Sequence, residues 1–250
     1  MLKHYLSIKI RKEKKRNIKF VHNTLHFFLH YIYMKVTINI PESLSEITLA
    51  QYQKWLKISD NNEDDNFLKQ KMIEIFCNIP LKTVLQIKAT DIDNITNTIN
   101  NLFKQEPKFI DRFNYNGVDF GFIPKLDEIT FGEYVDLDNY LSEWPLMHKA
   151  MCVLYRPISF TRKDKYLVEE YKGADAYDMQ GMSLDIVFSA LVFFWNLKRE
   201  LLNHILSFLA NQTEIVLPQQ KLDLMKNGLG ISQSMDWRKV MLGGLMKLHN

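Results

Sequence analysis

His148 and Cys152 stand four residues apart, a spacing that puts two side chains on one face of a helix. A histidine beside a cysteine is also the pairing from which thiolate nucleophiles are made. Both lie inside the apolar stretch WPLMHKAMCVLYRP, where no third residue is placed to orient the imidazole, so packing of a satisfied histidine is the favoured reading. His22, His26 and His30 repeat the four-residue spacing and would line one helix face. Imidazole suits zinc, but no cysteine or carboxylate accompanies them at ligand spacing, and no metal or other cofactor is expected. Asp127, Glu128, Glu133, Asp136 and Asp138 gather around a helix start, where acids complement the helix dipole, and nothing singles out two of them as an acid–base pair. The NGLG segment follows no strand, and no G-x-S-x-G, HExxH or CxxC motif occurs. The chain is expected to be non-catalytic.

The elements that would carry these residues show an internal repeat. Ile40-Pro41 precedes ESLSEITLAQYQKW, and Ile123-Pro124 precedes KLDEITFGEYVDLD. Ile47, Thr48 and Tyr52 match Ile129, Thr130 and Tyr134 at a constant offset of 82 residues. In each copy an apolar strand ends at a proline, which cannot donate to a sheet ladder. Thr48 or Thr130 then serves as helix N-cap, with Gln51 or Glu133 three residues on completing a capping box. Leu49, Tyr52 and Leu56 share one helix face; Phe131, Tyr134, Val135 and Leu141 are expected to do the same. An apolar helix and a final helix follow in each half. The predicted fold is therefore α+β and mostly helical, with two related strand-helix-helix-helix halves at 34–106 and 107–210.

The halves differ in three places. Before the second copy, RFNYNGVDFGFIP alternates on both sides of Asn116-Gly117, whose positive φ preference marks a type I′ hairpin turn. The second half also carries an insertion at 159–180, in which Tyr166-Leu167-Val168 reads as a strand. Leu184, Val187, Phe188, Leu191, Val192 and Trp195 keep helical spacing, and Ile186, Ala190, Phe193 and Leu197 fill another face. A helix over 184–209 apolar on most sides is a central core helix, because its apolar run is too short to span a bilayer. The run NNEDDN at 61–66 reads as a solvated loop.

Both ends depart from this pattern. Residues 1–33 carry +7 within a chain of net charge +3, leaving −4 on 34–250. Three readings of this basic extension stand open: translation beginning at Met34, a basic arm for phosphate or membrane surface, and a targeting segment. With only two cysteines, Cys77 and Cys152, a disulfide framework is not expected. The tail at 211–250 is broken by Pro218, Gly228 and Gly230 and ends in an amphipathic piece containing Trp237, Met241, Leu245 and Met246. It either docks on its own domain or is ordered by a partner, for which those four residues are the candidate anchors.

GVDFGFIPKLDEITFGEYVDLDNYL, EWPLMHKAMCVLYRPI, YLVEEYKG and MSLDIVFSALVFFWNL together resemble a family of tailed-bacteriophage proteins found in crAss-like and related phages. The resemblance covers 110–197 and extends more loosely from about residue 35. The layout, an early helix and a later LTFGEF-like helix, is similar to phage tail-assembly chaperones. The resemblance implies a morphogenesis protein in the host cytoplasm or the virion, without cofactor, whose partner is a phage structural protein of tail or tape-measure type, or a further copy of itself. It carries over no catalytic residues. A connector or tail component of the virion is the alternative, and a nucleic-acid-binding protein using the basic arm is a third; the acidic body makes nucleic acid the less favoured partner.

Overall fold

The computed structural model describes residues 6–10, 34–105 and 107–211. Among them are seven α-helices and two antiparallel sheets, an α+β fold dominated by helix. Strand β1 (Leu6–Ile10) pairs with β2 (Met34–Ile38), Leu6 opposite Ile38 and Ile10 opposite Met34. The change of charge at Met34 thus falls between two paired strands.

Helix α1 (Leu49–Ser59) follows a 3-10 turn at Leu44–Glu46. Helix α5 (Phe131–Leu141) follows a 3-10 turn at Leu126–Glu128, so every boundary of turn and helix recurs 82 residues on. Each helix opens on a full capping box. The Gln51 amide donates to Thr48 Oγ1 at 3.2 Å and the Thr48 amide to Gln51 Oε1 at 2.8 Å. At the second start, the Glu133 amide donates to Thr130 Oγ1 at 3.3 Å and the Thr130 amide to Glu133 Oε2 at 2.6 Å. These bonds satisfy amides that a helix start leaves without intrahelical partners. Replacing Thr48 or Thr130 by alanine should cost on the order of 1 kcal/mol each, read as a shift in the urea midpoint with unchanged slope; no shift at either site would remove the caps from the account.

Beyond the cap the two helices part. Helix α1 buries Leu49, Tyr52, Trp55 and Leu56. Helix α5 buries only Glu133 and Leu137, and Phe131, Tyr134 and Val135, expected to face the core together with Leu141, are exposed. The reason is helical phase: Glu133, Leu137, Tyr140 and Leu141 form the inward stripe, which puts Phe131 and Val135 on the opposite side.

Helices α2 (Asp65–Phe76), α3 (Leu81–Val84) and α4 (Ala89–Leu102) complete the first half. Part of the expected 61–66 loop is the start of α2, whose N-cap Asp64 accepts the Phe67 amide at 3.1 Å. The second half departs further from four simple elements. Helix α6 (Met147–Leu154) passes directly into strand β5 (Tyr155–Arg162), so the apolar helix ends before Arg156-Pro157. Proline disfavours helical backbone at the residue before it, which accounts for the switch. Strand β5 joins β3 (Arg112–Tyr115), β4 (Val118–Phe122) and β6 (Lys165–Val168) in an antiparallel sheet of order β3-β4-β5-β6. The β3–β4 turn has φ of 52° at Asn116 and 81° at Gly117, as the Asn-Gly signal requires. Gly121 in β4 is needed for close approach: a Cβ there would lie 2.4 Å from the Tyr166 ring. That ring is pinned by hydrogen bonds from its hydroxyl to the Phe122 and Asp111 carbonyls.

Helix α7 (Leu184–Asn211) is buried through Leu184, Ile186, Val187, Phe188, Ala190, Leu191 and Val192, whereas Leu197, Arg199 and Glu200 are exposed. Its first part is thus the central core helix. Tyr52 of α1 meets Phe188 of α7 and Trp144 edge-on, at 5.3 and 4.9 Å between ring centroids. The Leu49 and Ala50 amides donate to the Met182 and Gln180 carbonyls, and the Leu184 amide to the Ile47 carbonyl. The end of the insertion therefore closes the start of α1, and the halves share one core.

Candidate functional site

The exposed face of α5 is held in place by a buried ion pair. Glu133 Oε1 lies 2.8 Å from Arg156 Nη2, with side-chain exposures of 5% and 8%. The other Glu133 oxygen accepts the Thr130 amide, so one carboxylate serves both the helix cap and the strand that follows α6. Arg156 Nη1 donates to the Glu169 carbonyl at 3.2 Å, and its guanidinium lies 5.9 Å from the Tyr171 ring centroid. Tyr171 donates to Asp136 Oδ2 at 2.5 Å. Burial first, and this hydrogen bond second, push the Tyr171 hydroxyl well above the usual phenol range. Tyr177 donates to Glu169 Oε2 at 2.9 Å; the Lys172 ammonium and this bond hold Glu169 below the usual carboxylate range. Helix α5, strand β5 and the chain at 169–177 are thereby joined through polar contacts that specify one arrangement.

On this base stands an apolar, acid-rimmed surface. Phe131 is 82% exposed, with Tyr134 and Val135 beside it. Residues 126–143 contain Asp127, Glu128, Glu133, Asp136, Asp138 and Glu143 and no lysine or arginine. Glu133 is buried against Arg156 and Glu128 pairs with Lys125, which leaves Asp127, Asp136, Asp138 and Glu143 as the acidic rim. A second apolar surface lies on the β5–β6 hairpin. Phe160 and Leu167 are cross-strand partners, 56% and 58% exposed, next to a bulge between Ile158 and Phe160. The hairpin tip carries Arg162, Lys163 and Lys165 with a single acid, Asp164, and Lys163 adopts φ 55° in the turn. Large exposed aromatic residues in a rigid setting are the raw material of protein contacts.

The residues with chemical potential are placed otherwise. Cys152 is buried and its sulfur faces the Gly173 carbonyl at 3.6 Å; burial is the chief cause raising its thiol pKa. His148 Nδ1 is 3.4 Å from Gln53 Nε2, and burial, then Lys149, lower its pKa. The cysteine thus faces a loop carbonyl and the histidine faces α1. A cleft of about 430 Å³ is lined by Asn39, Pro41, Glu46, Thr48, Gln51, Phe76, Cys77 and Asn78. Thr48 and Gln51 are committed to the capping box there, and burial pushes the Cys77 thiol up to about 12, which keeps it protonated and poorly nucleophilic. Among the acids near α5, Glu133 is spent on Arg156 and Asp136 on Tyr171. No group of three or more histidine, cysteine or acidic residues that could hold a metal ion occurs among the described residues. His22, His26, His30 and the anchors Trp237, Met241, Leu245 and Met246 lie outside them.

The site missed at the level of sequence is the Glu133–Arg156 pair. Glu133 reads as a capping residue, and nothing local links it to an arginine 23 positions on; the Arg-Pro strand start after α6 is the one available signal. The described part of the chain is thus an α+β protein whose notable surfaces are two exposed apolar patches on a braced scaffold. Comparisons with protein-family models, curated proteins and solved structures return no match. No helix among the described residues is long and apolar enough to cross a membrane.

Proposed function

We propose that this protein is a bacteriophage morphogenesis factor of the tail-assembly-chaperone kind, acting in the host cytoplasm by protein–protein contact and not by catalysis. Its partner is a structural protein of the same phage, of tail or tape-measure type, whose apolar surface it shields before assembly. The observation that carries this reading is the exposed Phe131 face of α5. It lies within the stretch that resembles the phage family, and a buried ion pair fixes it on the scaffold. Phe131 with Tyr134 and Val135 beside it, left in water on a helix so firmly held, makes an apolar patch of the kind that serves a partner. The C-terminal residues Trp237, Met241, Leu245 and Met246 supply a second contact in this reading.

The test is capture of the tagged full-length protein from infected cells, with identification of bound proteins by mass spectrometry. Wild type should retain a phage tail or tape-measure-type protein. Phe131→Asp should weaken that binding roughly thirtyfold, the scale of losing about 2 kcal/mol at an interface hot spot, while leaving the circular dichroism spectrum and melting temperature unchanged. Capture of no phage structural protein, or capture indifferent to Phe131→Asp, would overturn the proposal. Recovery of the protein in finished particles would favour the virion-component alternative.

A further inference from the structure

We infer that the two exposed patches fit each other between copies, so that the protein assembles head to tail. This inference rests on the reading of both patches as contact surfaces and makes the chain itself one of its own partners. The α5 face offers Phe131, Tyr134 and Val135 with Asp127, Asp136, Asp138 and Glu143 in the same segment, Glu133 being neutralised by Arg156 and Glu128 paired with Lys125. The β5–β6 hairpin offers Phe160 and Leu167 beside Arg162, Lys163 and Lys165, against Asp164 alone. Apolar centres with rims of opposite sign are what electrostatic complementarity between partners requires. Each patch paired with its own kind would set acids against acids or bases against bases, which disfavours a two-fold symmetric dimer through either one.

Within a single copy the patches do not satisfy each other. Phe131, Phe160 and Leu167 are each more than half exposed, although α5 and the base of the hairpin are tied together at Glu133 and Arg156. Strand alternation puts Leu167 on the sheet face opposite Tyr166, whose ring closes over Gly121. The Phe160–Leu167 pair is thus left on the other face, where the hairpin runs past the buried part of the sheet. Charge separates the occupants: a second copy supplies a basic-rimmed apolar pair of matching character, and the chain itself holds both halves of the contact. A contact between two different surfaces repeats from copy to copy and yields a ring if the rotation closes or a filament if it does not. A filament leaves one α5 face and one hairpin free at its ends for the structural protein proposed above.

Sedimentation of the full-length protein at low salt, over about 1–100 μM, tests this. The expected result is a mass that rises with concentration in multiples of 29.6 kDa and falls on raising salt to about 1 M, where the screening length is about 3 Å. Phe131→Asp alone, and Lys163→Glu with Lys165→Glu alone, should each give monomers with native circular dichroism, because all three side chains project into water. Phe160→Asp is the second hairpin variant, used if the charge reversal alters folding. Mixing an α5 variant with a hairpin variant should give a one-to-one dimer and nothing larger, since one intact α5 face then meets one intact hairpin. A symmetric interface would show no such rescue. Wild type that stays monomeric throughout, or mixed variants that stay monomeric, would overturn the inference. The proposed function is read separately: a monomeric wild type that still captures a phage structural protein through Phe131 removes the self-assembly and keeps the function, while an assembling protein that captures none does the reverse.

Discussion

Arg156→Met should destabilise the protein by about 3–5 kcal/mol, the cost of removing one partner of a buried ion pair and leaving the other charge without compensation. For a chain of this size each kcal/mol lowers the melting temperature by roughly 2–4 °C, so a drop on the order of 10 °C is expected by calorimetry. The start of helix α1 provides the control. It has Gln51 where α5 has Glu133, and Gln51 completes a capping box without a charge. Glu133→Gln should therefore keep the cap. The double substitution Arg156→Met with Glu133→Gln no longer buries an unpaired carboxylate, and it should recover much of what Arg156→Met loses. An Arg156→Met protein within about 1 kcal/mol of wild type would show that the pair does not brace α5, and the rigid-scaffold argument for the Phe131 face would fall with it.

Trp55→Ala should be as damaging, at about 3–5 kcal/mol, the range for removing a fully buried large aromatic side chain. Trp55 is 0% exposed and packs against Phe76 at 5.9 Å between ring centroids. Among the described residues its buried indole Nε1 meets no hydrogen-bond acceptor, so the side chain contributes chiefly through volume and contact. Trp55→Phe keeps an aromatic ring and removes a donor that bonds no described protein group. It should cost clearly less than the alanine change, whereas a loss as large for phenylalanine as for alanine would mean that the indole nitrogen matters. Urea unfolding of the three proteins decides between these outcomes.

The helix starts were legible because capping is local chemistry: Thr48 with Gln51, and Thr130 with Glu133, carry their own instructions within four residues. The Asn116-Gly117 turn was legible for the same reason, since both residues must take positive φ. Strand β6 was anticipated from Tyr166-Leu167-Val168. The apolar spacing of α7 foretold its buried stripe as far as Val192. What failed was the assignment of α5's faces. Phe131, Tyr134 and Val135 match a core stripe by composition, but the side that is covered depends on where α6 and β5 pack, and those contacts are remote in sequence. The same remoteness hid the Glu133–Arg156 pair. The passage from α6 into β5 was written in Arg156-Pro157, although the apolar run through it masked the boundary. The candidate site was thus present in the sequence as residues and absent as a surface.

The central claim, that this protein serves phage assembly through contact, is tested most directly by electron microscopy of lysates from a phage unable to make it. The account predicts particles whose tails are missing or aberrant, restored by wild-type protein supplied in trans and not restored by Phe131→Asp. Normal tailed particles in the absence of the protein, or equal rescue by Phe131→Asp, would contradict it.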